Sequence, residues 1–420
     1  MTVVRSRRPW LVDALLYGVA ATFAGVTAVA ADIPLQRSWG RMAVWPYGVA
    51  AALAVCAAWL PGDEARQRRR RIWLVLVVFA TTAIVPLVAE SVWRAQGDPG
   101  DHAQSEVIIV EEAANVSLDG RDPYAAEYRD GPLSDRPLAT QVHFPYLPGM
   151  LVFGLPRALA GHVAWADARV WFAIVALAVA VSSLRRMDAA PDAKVRTFQV
   201  LFALPTGALL LATGGVDIPV IALLLATFVL AQRGGSGAAG VSGGLALAMK
   251  QTSILVLPFL VFAIPPGPAR RRFVVTAGLV AVTLTVPFAL RDWSAFVEDT
   301  VLFPLGLGQG ASAAATPTIG SLLLDRFPSQ QDAITVLLVA VTVVVAGLLL
   351  FRGRTGSMSQ ACARAAAAFL TAVALAPAAR AGYLVYPVNL IVWAIAFRGR
   401  DEHVLDVNPR RPTFVSAPDT

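Results

Sequence analysis

The sequence predicts an all-α protein that passes through a membrane many times, and three observations carry that prediction. Of 420 residues, 56% are hydrophobic and only 15% charged, with a mean hydropathy of +0.61, the composition of an integral membrane protein. Apolar runs of roughly 17–22 residues recur along the whole length, the size needed to cross a hydrocarbon core of about 30 Å. The arginines sit in short clusters between those runs, where they set topology. The net charge of +7 therefore reads as membrane orientation, and no nucleic-acid partner is expected. With 2 cysteines and 4 histidines scattered along the chain, neither a disulfide framework nor a zinc site is expected.

The first run starts near Trp10 behind Arg5, Arg7 and Arg8. Its charge is that of a signal-peptide core, but it is longer and has no small-residue cleavage site before Asp32, so it reads as a retained helix. Further runs near 43–60, 72–92, 168–184, 197–213, 216–232, 238–249, 252–264, 273–290, 333–351, 363–378 and 382–397 bring the total to about twelve crossings. Segments 238–249 and 252–264 are short for full crossings and read as half-helices meeting at Lys250, a break that surrounding protein can tolerate at membrane depth.

Placing the N-terminus in the cytoplasm puts Arg66, Arg68–Arg71, Arg185, Arg186, Lys194, Arg196, Arg233, Arg270–Arg272, Arg352, Arg354 and Arg364 on the inner side. The short outer connections then hold little beyond Arg37, Arg41 and Arg291. This asymmetry requires that Leu147–Ala160 be an interfacial or re-entrant helix rather than a crossing. Loops 93–167 and 291–332 then face the extracytoplasmic side of the plasma (inner) membrane. Residues 1–397 form one transmembrane domain, and the polar tail 398–420, with Pro409, Pro412 and Pro418, is expected to be cytoplasmic and disordered.

The outer loop 93–167 is unusually long and acidic. Ser105 can N-cap a short helix that Asp119-Gly120 ends and Pro123 keeps from continuing. Helical phase puts Glu106, Val110, Ala113 and Ser117 on one face, expected to be buried, and Glu111, Glu112 and Asn115 on a solvated one. A carboxylate on an apolar face needs a partner or a task. Desolvation would raise its pKa toward that of a working general base, while the plainer account is a negative charge in the first helical turn. Glu90, Asp98 and Asp101 are rival acids. Gly306-Leu-Gly-Gln-Gly310 reads as a flexible outer loop, because it does not join a strand to a helix.

Three more ionisable residues lie at the membrane edge on the outer side: Asp217 in Ala212-Thr-Gly-Gly-Val-Asp217, Lys250, and Arg380 in Pro377-Ala-Ala-Arg-Ala-Gly-Tyr383. Charges at such depth are functional candidates by default. Two arrangements fit: Asp217 and Lys250 as a structural pair, or Lys250 and Arg380 together on an anionic lipid headgroup.

Several short stretches resemble a known family in their order and spacing. They are Leu118-Asp-Gly-Arg-Asp-Pro-Tyr124, Phe144-Pro-Tyr-Leu-Pro148, Gly214-Gly-Val-Asp217, Gly244-Leu-Ala-Leu-Ala-Met-Lys250 and Pro377 through Tyr383. Together, over roughly residues 72–397, they resemble the GT-C membrane glycosyltransferases that use polyprenyl-phosphate sugars, and within them glycosyltransferase family 87. The resemblance implies a GT-C-like bundle with extracytoplasmic juxtamembrane helices. It also implies a mannosyl or arabinofuranosyl transferase of the cell envelope, with a glycolipid or glycan acceptor and membrane lipid as partners. In the family an acidic residue of the first large outer loop acts as base on the acceptor hydroxyl, and counting back from the Gly-x-x-Pro-Tyr turn places it on Glu106. Family members commonly have Asp there, and often a His before the Tyr of the late motif, where this chain has Gly382. The resemblance implies that Lys250 and Arg380 hold the donor phosphate, with Tyr124, Tyr146, Asp217 and Tyr383 of its motifs as further candidate site residues, to which the loop's own Asp101 and His143 are added. No cofactor is expected beyond the lipid-linked donor, and a divalent metal at Asp98, Asp101, His102 and His143 is not favoured. The competing reading is a polytopic transporter or lipid flippase, which predicts internal repeats; none is visible in the hydrophobic runs.

Overall fold

Inside a hydrocarbon layer each backbone N–H and C=O must be satisfied within its own segment, so the apolar runs have to become helices. The computed structural model describes residues 2–308, 316–352 and 356–406, with side chains from residue 7 to residue 398, and among the described residues the regular structure is helical, joined by loops, with one isolated bridge, Thr316 to Ala379. Helices α1 (Thr2–Ala30) and α2 (Pro34–Ala57) form an antiparallel hairpin. The long α3 (Glu64–Gln96) follows, with a π-turn at Ala80–Ile84. The outer loop carries α4 (Ser105–Leu118), and then come α5 (Ala168–Arg186), α6 (Pro191–Ala203) and α7 (Pro205–Thr213). The chain continues through α8 (Asp217–Gln232), α9 (Ser236–Met249), α10 (Gln251–Ala263), α11 (Pro268–Ala289), α12 (Pro328–Phe351), α13 (Met358–Leu375) and α14 (Val385–Asp406).

Among the described residues eight helices are long and apolar enough to cross a membrane, and the α6–α7 pair, bent by 40° before Pro205, would make nine. The expected twelve crossings thus include three apolar helices, α8, α9 and α10, that fall short of a full span. All the same, α8 reaches from one end of the bundle to the other. At one end Asp217 meets Lys250, and at the other the Gln232 amide donates to Asp188 O at 3.0 Å. The chain is a multi-pass membrane protein.

The connections group into two sets. Asp13, Arg71, Asp192 and Arg196 join the ends of α1, α3 and α6, with Arg71 to Asp13 at 2.5 Å and Arg196 to Asp13 at 2.7 Å. At the opposite end the loop after α3 meets the α7–α8 turn, where Gln104 N donates to Thr213 O at 3.3 Å, and the α9–α10 break, where Leu147 N donates to Met249 O at 3.1 Å. Segments assigned from charge to one side of the membrane therefore do lie together. Leu147–Ala160 is broken into two short helices, Pro148–Phe153 and Leu155–Ala160, both too short to cross. The last helix runs on to Asp406, so the start of the expected disordered tail is helical, and 407–420 lie outside the described residues. Arg354 and the end of the glycine-rich loop at 309–310 also lie outside them.

Candidate active site

Helix α4 starts one residue earlier in register than expected. Its N-cap is Gln104, and Ser105 is the first helical residue. The C-terminal end is as predicted. Gly120 takes φ +75°, and Arg121 N donates to Val116 O while Gly120 N donates to Ser117 O, the paired bonds of a left-handed glycine stop.

The solvated face assigned to α4 does not exist at Glu111. This residue is buried, and Arg94 of α3 grips it at 2.7 Å and 3.0 Å. Arg94 also binds Asp167 at 2.9 Å, and Asp167 binds Arg169 at 2.8 Å. Burial alone would push the Asp167 carboxyl up, but the Arg169 and Arg94 guanidiniums outweigh it and hold it far below the usual carboxylate range. This network clamps α4 between α3 and α5. Helical phase could not reveal it, because a helix packed on several sides has no single exposed face. Glu112 is half-buried, and burial together with neighbouring Glu111 raises its pKa.

The clamp leaves Glu106 at the wall of a cavity of about 460 Å³, within the range of small-molecule sites. Lys250 and Arg380 line the same cavity, as do His143, Tyr146 and Tyr383. Glu106 pairs with Arg380, and the two side chains are 14% and 37% exposed. Arg380 follows a segment pinned to the chain at Thr316, where Thr316 N donates to Ala379 O at 3.1 Å and Ala381 N donates to Thr316 Oγ1 at 3.1 Å.

Lys250 sits in the break between α9 and α10, in extended conformation. Its Nζ donates to Asp217 Oδ1 at 2.6 Å, and the rings of Tyr146 and Tyr383 lie 5.5 Å and 5.2 Å away. A buried ammonium loses several kcal/mol of hydration, which a paired carboxylate and two aromatic faces offset. The structure therefore contains the Asp217–Lys250 pair, and keeps Lys250 in the cavity wall as well. Tyr386, which sequence reasoning did not single out, donates to Asp217 Oδ1 at 2.7 Å and accepts from Thr252 Oγ1 at 2.9 Å.

His143 has its own carboxylate, also missed from sequence. Its Nδ1 lies 2.6 Å from Asp299 Oδ1, its ring stacks on Phe303, and Phe144 N donates to Asp299 Oδ2 at 2.8 Å. Burial raises the Asp299 pKa against the opposing pull of His143 and the Phe144 amide. Three expected site residues do not line the cavity: Asp217 meets it only through Lys250, and two lie elsewhere. Tyr124 is packed behind the wall, donating its hydroxyl to Tyr146 O at 2.9 Å. Asp101 is exposed in the turn after Asp98 and does not line the cavity. Among the described residues no group of three or more His, Cys, Asp or Glu side chains is placed to hold a metal ion.

Away from these charges the cavity is apolar. It runs between α12 and α13 past Leu338, Val343, Phe369 and Val373. Val343 is 65% exposed, so this arm reaches the outer surface of α12, a helix with little of its length buried in the protein. A charged end is thus joined to an aliphatic arm, an arrangement whose shape suits an amphiphile.

The profile of glycosyltransferase family 87 matches residues 144–397, more than half of the chain. The chain belongs to glycosyltransferase family 87. The matched region holds Lys250, Arg380 and the apolar arm, while Glu106 lies ahead of it. Among solved structures the chain is similar to the crystal structure of ArnT from Cupriavidus metallidurans bound to undecaprenyl phosphate, with 16% identity and a TM-score of 0.48. That match covers 82% of this chain and 64% of the other, so the chain spans less than two thirds of that protein's length. No curated protein sequence matches the chain.

Proposed function

We propose that this protein transfers a sugar, of the mannose or arabinofuranose class, from a polyprenyl-phosphate donor to a hydroxyl of an envelope glycolipid or glycan. The observation that carries this reading is the cavity shared by Glu106, Lys250 and Arg380, which continues into an apolar arm reaching the surface of α12. Membership of a glycosyltransferase family supports it over transport. A lipid-linked donor brings its own phosphate leaving group, so no nucleotide-binding fold is needed.

The step is a single displacement. The acceptor oxygen bonds to the anomeric carbon as the bond from that carbon to the phosphate oxygen breaks. The bonding pair leaves with the polyprenyl phosphate, and the acceptor proton passes to Glu106. Arg380 and the Lys250 side of the cavity stabilise the charge that grows on the departing phosphate. Asp217 and Tyr386 hold Lys250 in place, and the polyprenyl chain lies along α12 and α13. The distribution of arginines supports an active site on the extracytoplasmic face of the plasma membrane, with both termini cytoplasmic.

The test is to incubate the purified full-length protein with radiolabelled polyprenyl-phosphate mannose, polyprenyl-phosphate arabinofuranose or a sugar nucleotide, with envelope glycolipids as acceptor. Label is expected to move from a lipid-phosphate donor and not from the nucleotide. Transfer from the nucleotide alone would overturn the reading.

A further inference from the structure

The cavity holds an apparent conflict. Glu106, the proposed base, and Arg380, a proposed phosphate ligand, are each other's partner, joining α4 to the segment before α14. While they are paired, the carboxylate is not open to an acceptor and the guanidinium is not fully open to a donor. The second cation of the cavity is held differently. Lys250 is only 5% exposed, and it is fixed by Asp217, which Tyr386 fixes in turn. Among the described residues the Glu106–Arg380 pair has no such outer ring of support, and Arg380 is 37% exposed. Of the two pairs, Glu106–Arg380 is therefore the one that an incoming anion can exchange.

We propose that the Glu106–Arg380 pair is a latch opened by the donor: the phosphate of a polyprenyl-phosphate sugar takes the carboxylate's place on the Arg380 guanidinium and releases Glu106 toward the acceptor. The inference rests on the functional reading above. One anion replaces another on the same planar donor group, which suits phosphate and carboxylate alike. The exchange gives an order of binding, donor before acceptor, and keeps the base masked while the cavity is empty. No bond is made or broken in the exchange itself.

The test measures affinity of the full-length protein, in lipid nanodiscs, for undecaprenyl phosphate, using wild type, Glu106→Gln, Arg380→Ala and the double variant. Glu106→Gln is expected to bind about 1.5- to fivefold tighter, the scale of a partly exposed ion pair that no longer has to be broken. Arg380→Ala is expected to bind more weakly, and in that background Glu106→Gln should have no further effect. Unchanged or weaker binding by Glu106→Gln would overturn the latch. So would tightening of equal size with and without Arg380, which would be simple charge repulsion. Glu106→Asp, with a shorter reach to Arg380, should shift affinity in the same direction and serves if the glutamine variant does not fold. Wild type that transfers sugar but shows no such coupling sinks the latch alone, whereas wild type that neither binds undecaprenyl phosphate nor transfers sinks the functional reading as well.

Discussion

Two carboxylates pair with the two cations of the cavity wall, and their surroundings separate their roles: Glu106 lines the cavity, whereas Asp217 does not. Asp217 is 6% exposed and shares Lys250 with the faces of two tyrosines, so its loss leaves a buried ammonium without its counter-charge. Removing one partner of such a pair costs about 3–5 kcal/mol, while neutralising both costs much less. Asp217→Asn is thus expected to lower the thermal midpoint of the purified protein strongly, and Asp217→Asn with Lys250→Gln to recover a large part of the loss. Equal destabilisation by the single and double variants would contradict the pairing. Lys250, Arg380 and Asp217 stood out in the sequence, because an ionisable side chain within or beside an apolar run is conspicuous, whereas Glu106 had rivals in Glu90, Asp98 and Asp101 and was singled out only by helical phase and the family resemblance. Asp299, Tyr386 and the buried role of Glu111 were not. Each is defined by a partner on another element, respectively His143, Asp217 and Arg94, and periodicity carries no information about which element arrives on the other side.

Among the elements, α4 and the α7–α8 turn matter most, since they set Glu106 against the Lys250 side of the cavity. Gly214 makes their close approach feasible. Its φ is +126°, and a Cβ there would lie 2.1 Å from Val107 Cγ2, one residue past Glu106. Gly214→Ala therefore adds backbone strain to overpacking, which by itself costs about 1–3 kcal/mol. The variant is expected to lose both thermal stability and transfer activity, whereas Gly18→Ala, inside α1 with nothing within 4 Å, should keep its activity and hold or slightly raise its stability. Wild-type activity in Gly214→Ala would mean that the α4 position does not depend on this contact. The end of α4 was readable from Asp119-Gly120, and the break at Lys250 from two apolar runs too short to cross. The Pro205 bend and the two short pieces within Leu147–Ala160 were not resolved from the sequence, where hydropathy marks a run as apolar without showing how it divides.

At the scale of the whole molecule, the connections sort into two ends, one rich in Arg–Asp pairs around Asp13 and one enclosing the cavity. Positive charge predicts that the first end is cytoplasmic. In a variant with Cys56 and Cys362 replaced by serine, a cysteine at exposed Ser134 should react with a membrane-impermeant maleimide added to intact cells. One at exposed Ala190 should react only after permeabilisation. The reverse pattern would invert the orientation and move the cavity to the cytoplasmic face. The overall class was legible from composition, run length and arginine placement, but the number of full crossings was not, because hydropathy alone does not separate the shorter apolar helices α8, α9 and α10 from full spans. The central claim is that Glu106 takes the acceptor proton within the cavity it shares with Lys250 and Arg380. The most direct measurement is turnover of a polyprenyl-phosphate sugar by Glu106→Gln, in a preparation shown to be folded and to bind undecaprenyl phosphate at least as tightly as wild type. General-base catalysis contributes about 10²–10⁴-fold, so the account predicts a loss of at least a hundredfold in kcat with binding retained. Turnover within a few-fold of wild type would contradict it.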